Sequence, residues 1–252
     1  MRVSGCIFSL FLVAGCGNGG NVAMDMTPSP DLSPQGCMHT VPCSDQSVQQ
    51  LPLFRPVNMA TVGNTSAGDV FTSTIDASAG GVTPTLSYVY VKFTATGMQR
   101  VDVGDEDALA SQDWDVAFRR FIIRLNSGVS GPSCVTAGRT ATGTTFDGLT
   151  AVPAALDYRT EEYFTATCDY VPDGSGLMSP GVALQSFWEY PGCVKMTGNV
   201  FVLALADGRN LKLQVTAYYS TAIQMTCDTT GMVDNTMATG AGSYQVKWAL
   251  LP

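Results

Sequence analysis

At 252 residues, 45% hydrophobic and 13% charged, the chain has the length and apolar content of one large all-β domain or two small ones. Lys and Arg total 13 against 21 Asp and Glu, a net charge of -8, which excludes the basic footprint that a nucleic-acid partner needs. One histidine, His39, leaves no room for a His-based triad, a zincin motif or a His-rich metal site.

The chain opens like an export signal. Arg2 gives a short positive start, and Ile7 to Ala14 form an apolar run too short for a membrane span, which needs ~20 residues. Val13-Ala14-Gly15-Cys16 has the form of a bacterial lipobox, with residues 1–15 as the signal peptide and Cys16 as the lipidation site. Acyl chains of the palmitate kind add ~0.8 kcal/mol of membrane attachment per buried methylene. Gly17 follows Cys16 and no Asp comes next, which favours the outer membrane, facing outward. Residues 16–36 read as a tether, because Gly and Asn loosen the chain while Pro28, Pro30 and Pro34 keep it extended. Residues 37–252 read as a single β domain.

Six cysteines remain beyond Cys6 and Cys16: Cys37, Cys43, Cys134, Cys168, Cys193 and Cys227. An even set in an exported chain implies disulfides, and no C-x-x-C spacing suggests a metal. Six cysteines allow about fifteen pairings, among which sequence alone does not choose; the expected set joins neighbours in order, Cys37–Cys43, Cys134–Cys168 and Cys193–Cys227. His39 falls between Cys37 and Cys43 and reads as solvated.

The body reads as strands and turns. Leu86 to Thr94 is β-branched and aromatic, Arg100 to Val103 alternates, and so do Trp114 to Phe118 and Phe121 to Leu125. Asp105 to Asp113 alone suggests a helical turn. Asp105, Glu106 and Asp107 read as a solvated charge run, as do Glu161 and Glu162. Val200 to Leu205 and Leu211 to Tyr219 flank Asp207-Gly208, a hairpin signal because Gly accepts the positive φ of such a turn. Ser243 to Leu250 supplies a closing strand. The expected fold is all-β and mostly antiparallel, sandwich-like, with at most one short helix.

Three segments resemble the HmuY family of exported haem-binding lipoproteins. The first runs from Asp113-Trp114-Asp115-Val116-Ala117-Phe118 to Asn126-Ser127-Gly128-Val129-Ser130-Gly131. The second is Phe187-Trp188-Glu189-Tyr190, and the third is the hairpin from Asn199 to Tyr219. The resemblance spans residues 85 to 250. It implies a haem pocket between finger-like extensions, with iron ligands in two loops. This chain has no histidine in either, and the resemblance points instead to Met178, in the loop Val171 to Pro180, and Met196, beyond Trp188-Glu189-Tyr190. A thioether is a soft, neutral ligand that haem iron accepts. Met225, Met232 and Met237 are weaker candidates. Tyr158, Tyr163 and Tyr170 suit either a pocket or strand packing. Arg139, Arg159 and Lys195 are candidates for the propionates.

The implied function is haem capture at the cell surface, without bond-making chemistry and with no metal beyond haem iron. Partners would be haem or another porphyrin, the membrane through the lipid, and a host or receptor protein. The alternative is a surface interaction module that kept the fold and lost haem. Enzymatic motifs such as G-x-S-x-G, a phosphate loop or a calcium loop are absent from the sequence.

Overall fold

The computed structural model describes residues 37–252, apart from residues 82, 173, 175–179 and 235–239. In chain order its elements are α1 (Ser44–Gln50), β1 (Val62–Ala67), β2 (Val70–Asp76), β3 (Val89–Thr94), β4 (Gly97–Val101) and α2 (Asp105–Ala108). Then come β5 (Val116–Arg119), β6 (Ile122–Leu125), β7 (Thr136–Arg139), β8 (Tyr158–Arg159), β9 (Trp188–Glu189) and β10 (Lys195–Met196). The chain finishes with β11 (Phe201–Ala204), β12 (Asn210–Ala217), α3 (Thr221–Thr230) and β13 (Ser243–Leu251). The Asp207-Gly208 hairpin forms, with Phe201 opposite Leu213 and Gly208 at φ 85°.

Strand pairing is antiparallel and yields a seven-stranded sheet in the order β1-β2-β13-β12-β11-β7-β8 and a four-stranded sheet, β4-β3-β5-β6. Val91 and Phe93 of β3 and Phe118 of β5 share one core with Leu213 of β12 and Tyr244 and Trp248 of β13. Ring contacts cross the interface, Phe93 to Trp248 at 5.0 Å and Phe118 to Tyr244 at 5.2 Å. Each such side chain contributes about 1.5–3 kcal/mol on burial. Asn64 joins the sheets at one side. Its Nδ2 donates to the Met98 carbonyl, and its Oδ1 accepts from the Met98 N–H, both at 2.9 Å. A side-chain amide thus stands in for a strand pair between β1 and β4.

The outer face of the larger sheet is also covered. Val200, Val202, Ala249 and Leu251 pack with Phe146 and Leu149 from the segment after β7. This is why the β11 stretch is apolar throughout. Lys212 of β12 lies under the same cover, its Nζ donating to the carbonyls of Phe146 and Leu149 at 2.8 Å.

Several expectations need correction. Besides α2, within the anticipated turn, α1 and α3 are helical, so the described residues hold three α-helices, with a short 3-10 turn at Gln185–Phe187, rather than at most one short helix. The Thr-rich sequence of α3 has weak helix propensity. Tertiary ties secure it, since the Gln224 Oε1 accepts from the N–H groups of Tyr218 and Tyr219. Cys193 pairs with Cys227, but the other disulfides are Cys37–Cys134 and Cys43–Cys168. Chain order misleads because the segment from Cys37 to α1 lies across the later loops, with the His39 N–H donating to the Pro132 carbonyl at 3.0 Å. His39 is exposed, and its Nε2 lies 3.0 Å from the Gly128 carbonyl oxygen.

Asp105 and Glu161 are not solvated; both are fully buried. Asp105 accepts hydrogen bonds from the N–H groups of Phe54 and Tyr88, the Tyr90 hydroxyl and Arg119. Four donors offset the cost of burying the charge. Among the described residues no helix is long and apolar enough to cross a membrane.

Candidate functional site

The segment Asn126 to Gly131 is a folding device before it is anything else. Asn126 donates through Nδ2 to the carbonyls of Ser111 and Trp114 at 3.0 and 2.8 Å, and accepts from the Ser133 N–H through Oδ1. A Cβ on Gly131 would strike Asn126 and the Trp114 ring, so only glycine fits. Gly128, at φ +55°, lies against the Glu161 main chain, where a Cβ would collide with the Glu161 carbonyl. The Val129 N–H then donates to that carbonyl at 3.1 Å. Trp114 and Phe118 are both buried, in separate clusters. Asp115 accepts from the Phe93 N–H at 2.8 Å, and burial pushes its carboxyl up to about 6.

That turn holds the segment leading out of β8, which borders a cleft of about 570 Å³. The size suits a small-molecule ligand. One wall is the β7–β8 edge of the large sheet, with Arg139, Asp157 and Arg159, followed by Thr160 and Glu162. The opposite wall is Val171, Pro172, residues 181 to 183, Gln185 and Ser186. Ala137 pairs with Arg159 across the two strands, and pairing alternates by twos, so Arg139 and Arg159 share a face. Arg159 meets Asp157 at 3.3 Å. Arg139 is exposed and has no carboxylate partner among the described residues.

Glu161 lies behind this wall. Its oxygens accept from the N–H groups of Leu125 at 2.9 Å and Ala183 at 3.1 Å. Burial pushes its carboxyl up to about 8, opposed by those two hydrogen bonds and by the Arg124 guanidinium. Arg124 is itself buried over the rings of Tyr88, Tyr90 and Trp114.

The remaining candidates distribute unevenly. Met178 lies outside the described residues, as do Cys16 and Met237. The limbs of the Met178 loop are described: the Gly181 N–H donates to the Val171 carbonyl, Pro172 bridges Pro180, and Val171, Pro172 and Gly181 line the cleft. Met196 is half-buried, opposite Trp188, and packs against the central core rather than lining the cleft. The Glu189 carboxylate pairs with Lys195 at 2.9 Å and holds it above the usual lysine range. Met225 and Met232 are exposed. Tyr163 is buried beside Phe164, Tyr170 packs on the same cluster, and Tyr158 packs under Phe146 and Leu149. Among the described residues no group of three or more His, Cys, Asp or Glu side chains could hold a metal ion.

Glu161 was the residue that the sequence hid. Its one cue is period two, which sets it on the inward face with Tyr163.

A family model described as HmuY protein matches residues 85–230, more than half of the chain. Among solved structures the chain is similar to a protein of Bacteroides vulgatus described as HmuY-like and haem-binding, at 17% identity over 75% of this chain and 96% of that one, TM-score 0.46. A lipoprotein of Bacteroides fragilis matches at 13% identity over 77% and 94%, TM-score 0.45. The apo form of a HmuY analogue from Tannerella forsythia matches at 17% identity over 77% and 98%, TM-score 0.36. No curated protein matches the chain.

Proposed function

Because the chain belongs to the HmuY family, we propose that it is a haem-binding lipoprotein of the bacterial cell envelope, acting by capture rather than by catalysis. The observation that carries this reading is the pair Arg139 and Arg159, set on β7 and the edge strand β8 beside it and turned into one cleft. Haem offers two carboxylates on a broad flat ring. Guanidinium groups suit carboxylates through charge-assisted, paired hydrogen bonds. Val171, Pro172, Val182 and Ala183 supply an apolar wall for the ring.

Bound haem supplies an iron that soft thioethers can ligate. Met178 is the ligand this reading favours, because both limbs of its loop border the cleft. Met196 is the second candidate, and its packing against the core supports it less. Lipid on Cys16 and the tether of residues 16–36 would hold the domain at the outer membrane, facing outward, where a host or receptor protein could exchange haem with it.

Titration of the mature domain with haemin tests the reading. A shifted Soret band that saturates at one haemin per chain is expected, and its loss in Met178→Ala would locate the ligand. A second reading draws on the polar side of the cleft, where Asp157, Thr160, Glu162, Gln185 and Ser186 accompany the arginines. That lining suits a surface interaction module with this fold and no haem. A titration without spectral change would favour it.

A further inference from the structure

We propose that Glu161 is the positioning residue of the cleft: its carboxylate fastens the Ala183 wall to the end of β6 and thereby sets the width of the groove. The proposal rests on the reading of this cleft as the ligand site. Glu161 is fully buried between Thr160 and Glu162, which both line the cleft. Its Oε1 accepts from the Leu125 N–H at 2.9 Å and its Oε2 from the Ala183 N–H at 3.1 Å. Leu125 ends β6, and Ala183 belongs to the opposite wall. The two walls are therefore tied through one side chain.

The main chain of Glu161 is pinned as firmly. Val129 donates to its carbonyl, and Gly128 packs against it where no side chain fits. The turn Asn126 to Gly131 thus aims the carboxylate as well as shaping the loop.

The residue type follows from the donors. The two N–H groups, on separate segments, meet different oxygens of the one carboxyl, Oε1 and Oε2, and an amide would place an NH2 donor where one of these acceptors stands. A fully buried carboxyl with no ion-pair partner is expensive as mere filler, whether ionised or not. It is retained here because it satisfies both walls together.

Amide hydrogen exchange on the unloaded mature domain tests the proposal, with haemin affinity as a separate reading. In Glu161→Gln, exchange at Ala183 should quicken about tenfold or more, and haemin affinity should fall by about as much. Amides of Val202, Leu213 and Val246 should keep their wild-type rates. Unchanged exchange at Ala183, or uniform acceleration across the domain, would overturn the proposal. Should the variant fail to fold, the wild-type Ala183 amide shift decides. It should titrate with a midpoint near the alkaline value of the Glu161 carboxyl, about 8, under the influence of Arg124, Glu162 and Tyr163. A flat shift through that range would overturn the proposal. If wild type ignores haemin while Ala183 responds as described, the haem reading fails and the positioning role stands.

Discussion

Asp105–Arg119 and Asp157–Arg159 contain the same two residue types and behave as opposites. The first pair meets at 3.1 Å with side chains 0% and 3% exposed; the second meets at 3.3 Å with side chains 81% and 71% exposed. Around the first, the Asp105 carboxylate is fully engaged: it accepts from two main-chain N–H groups and the Tyr90 hydroxyl as well as from Arg119, and Arg119 stacks on the Tyr88 ring at 3.9 Å. Around the second, the guanidinium keeps free donors, and Arg139 stands beside it unpaired on the same face. A buried pair whose carboxylate is fully hydrogen-bonded fixes the scaffold. An exposed pair is worth little to stability and can exchange its carboxylate for that of a ligand.

The contrast breaks most readily at Asp105. Asp105→Ala leaves Arg119 buried without its partner and should cost about 3–5 kcal/mol by denaturant unfolding. A loss under about 1 kcal/mol would show that the pair does not hold the scaffold. Next in size is the Cys43–Cys168 bridge, which ties the start of α1 to the turn ahead of the cleft loop. Replacing both cysteines by serine should lower stability by about 2–4 kcal/mol, read from the same unfolding curves.

A smaller effect should follow pH. Glu161 and Asp115 hold their protons more tightly folded than unfolded, with values raised to about 8 and about 6. Their contribution is complete below the unfolded values and is lost as pH rises through about 6 and then about 8. The urea midpoint should therefore fall between mildly acidic and mildly alkaline buffer. Glu161→Gln should flatten the alkaline part, and a midpoint that climbs across that range would contradict the assignment.

The smallest stability change belongs to the cleft. Arg139→Ala and Arg159→Ala should each shift unfolding by less than about 0.5 kcal/mol. Each should nonetheless weaken haemin binding about tenfold, measured by absorbance titration. Large destabilisation with unchanged binding would reverse the contrast between the two pairs.

Much of the sandwich was legible because burial on one face writes itself as alternation. Leu211, Leu213 and Val215 point to the core and Asp207-Gly208 makes the turn, and both facts are local. The β1–β2 hairpin was not legible. β1 reads Val-Gly-Asn-Thr-Ser-Ala and is exposed along nearly its whole length, so no apolar period marks it. Its role depends on Asn64 reaching Met98, a contact between residues far apart in sequence. Two of the three disulfides were missed for the same reason, since Cys37–Cys134 spans 97 residues and Cys43–Cys168 spans 125, whereas Cys193–Cys227, 34 apart, was legible. At the cleft, Arg139 and Arg159 were recognisable as cations, and the structure sets both along its lining. Glu161 was not, because a carboxylate that serves two main-chain donors looks in sequence like any surface charge.

A crystal structure of the mature domain grown with haemin tests the central claim most directly. The account predicts a porphyrin between the β7–β8 edge and residues 181 to 186, its propionates on Arg139 and Arg159 and the Met178 sulfur on the iron. A porphyrin bound elsewhere, or an empty cleft with Arg139 still facing solvent, would contradict it.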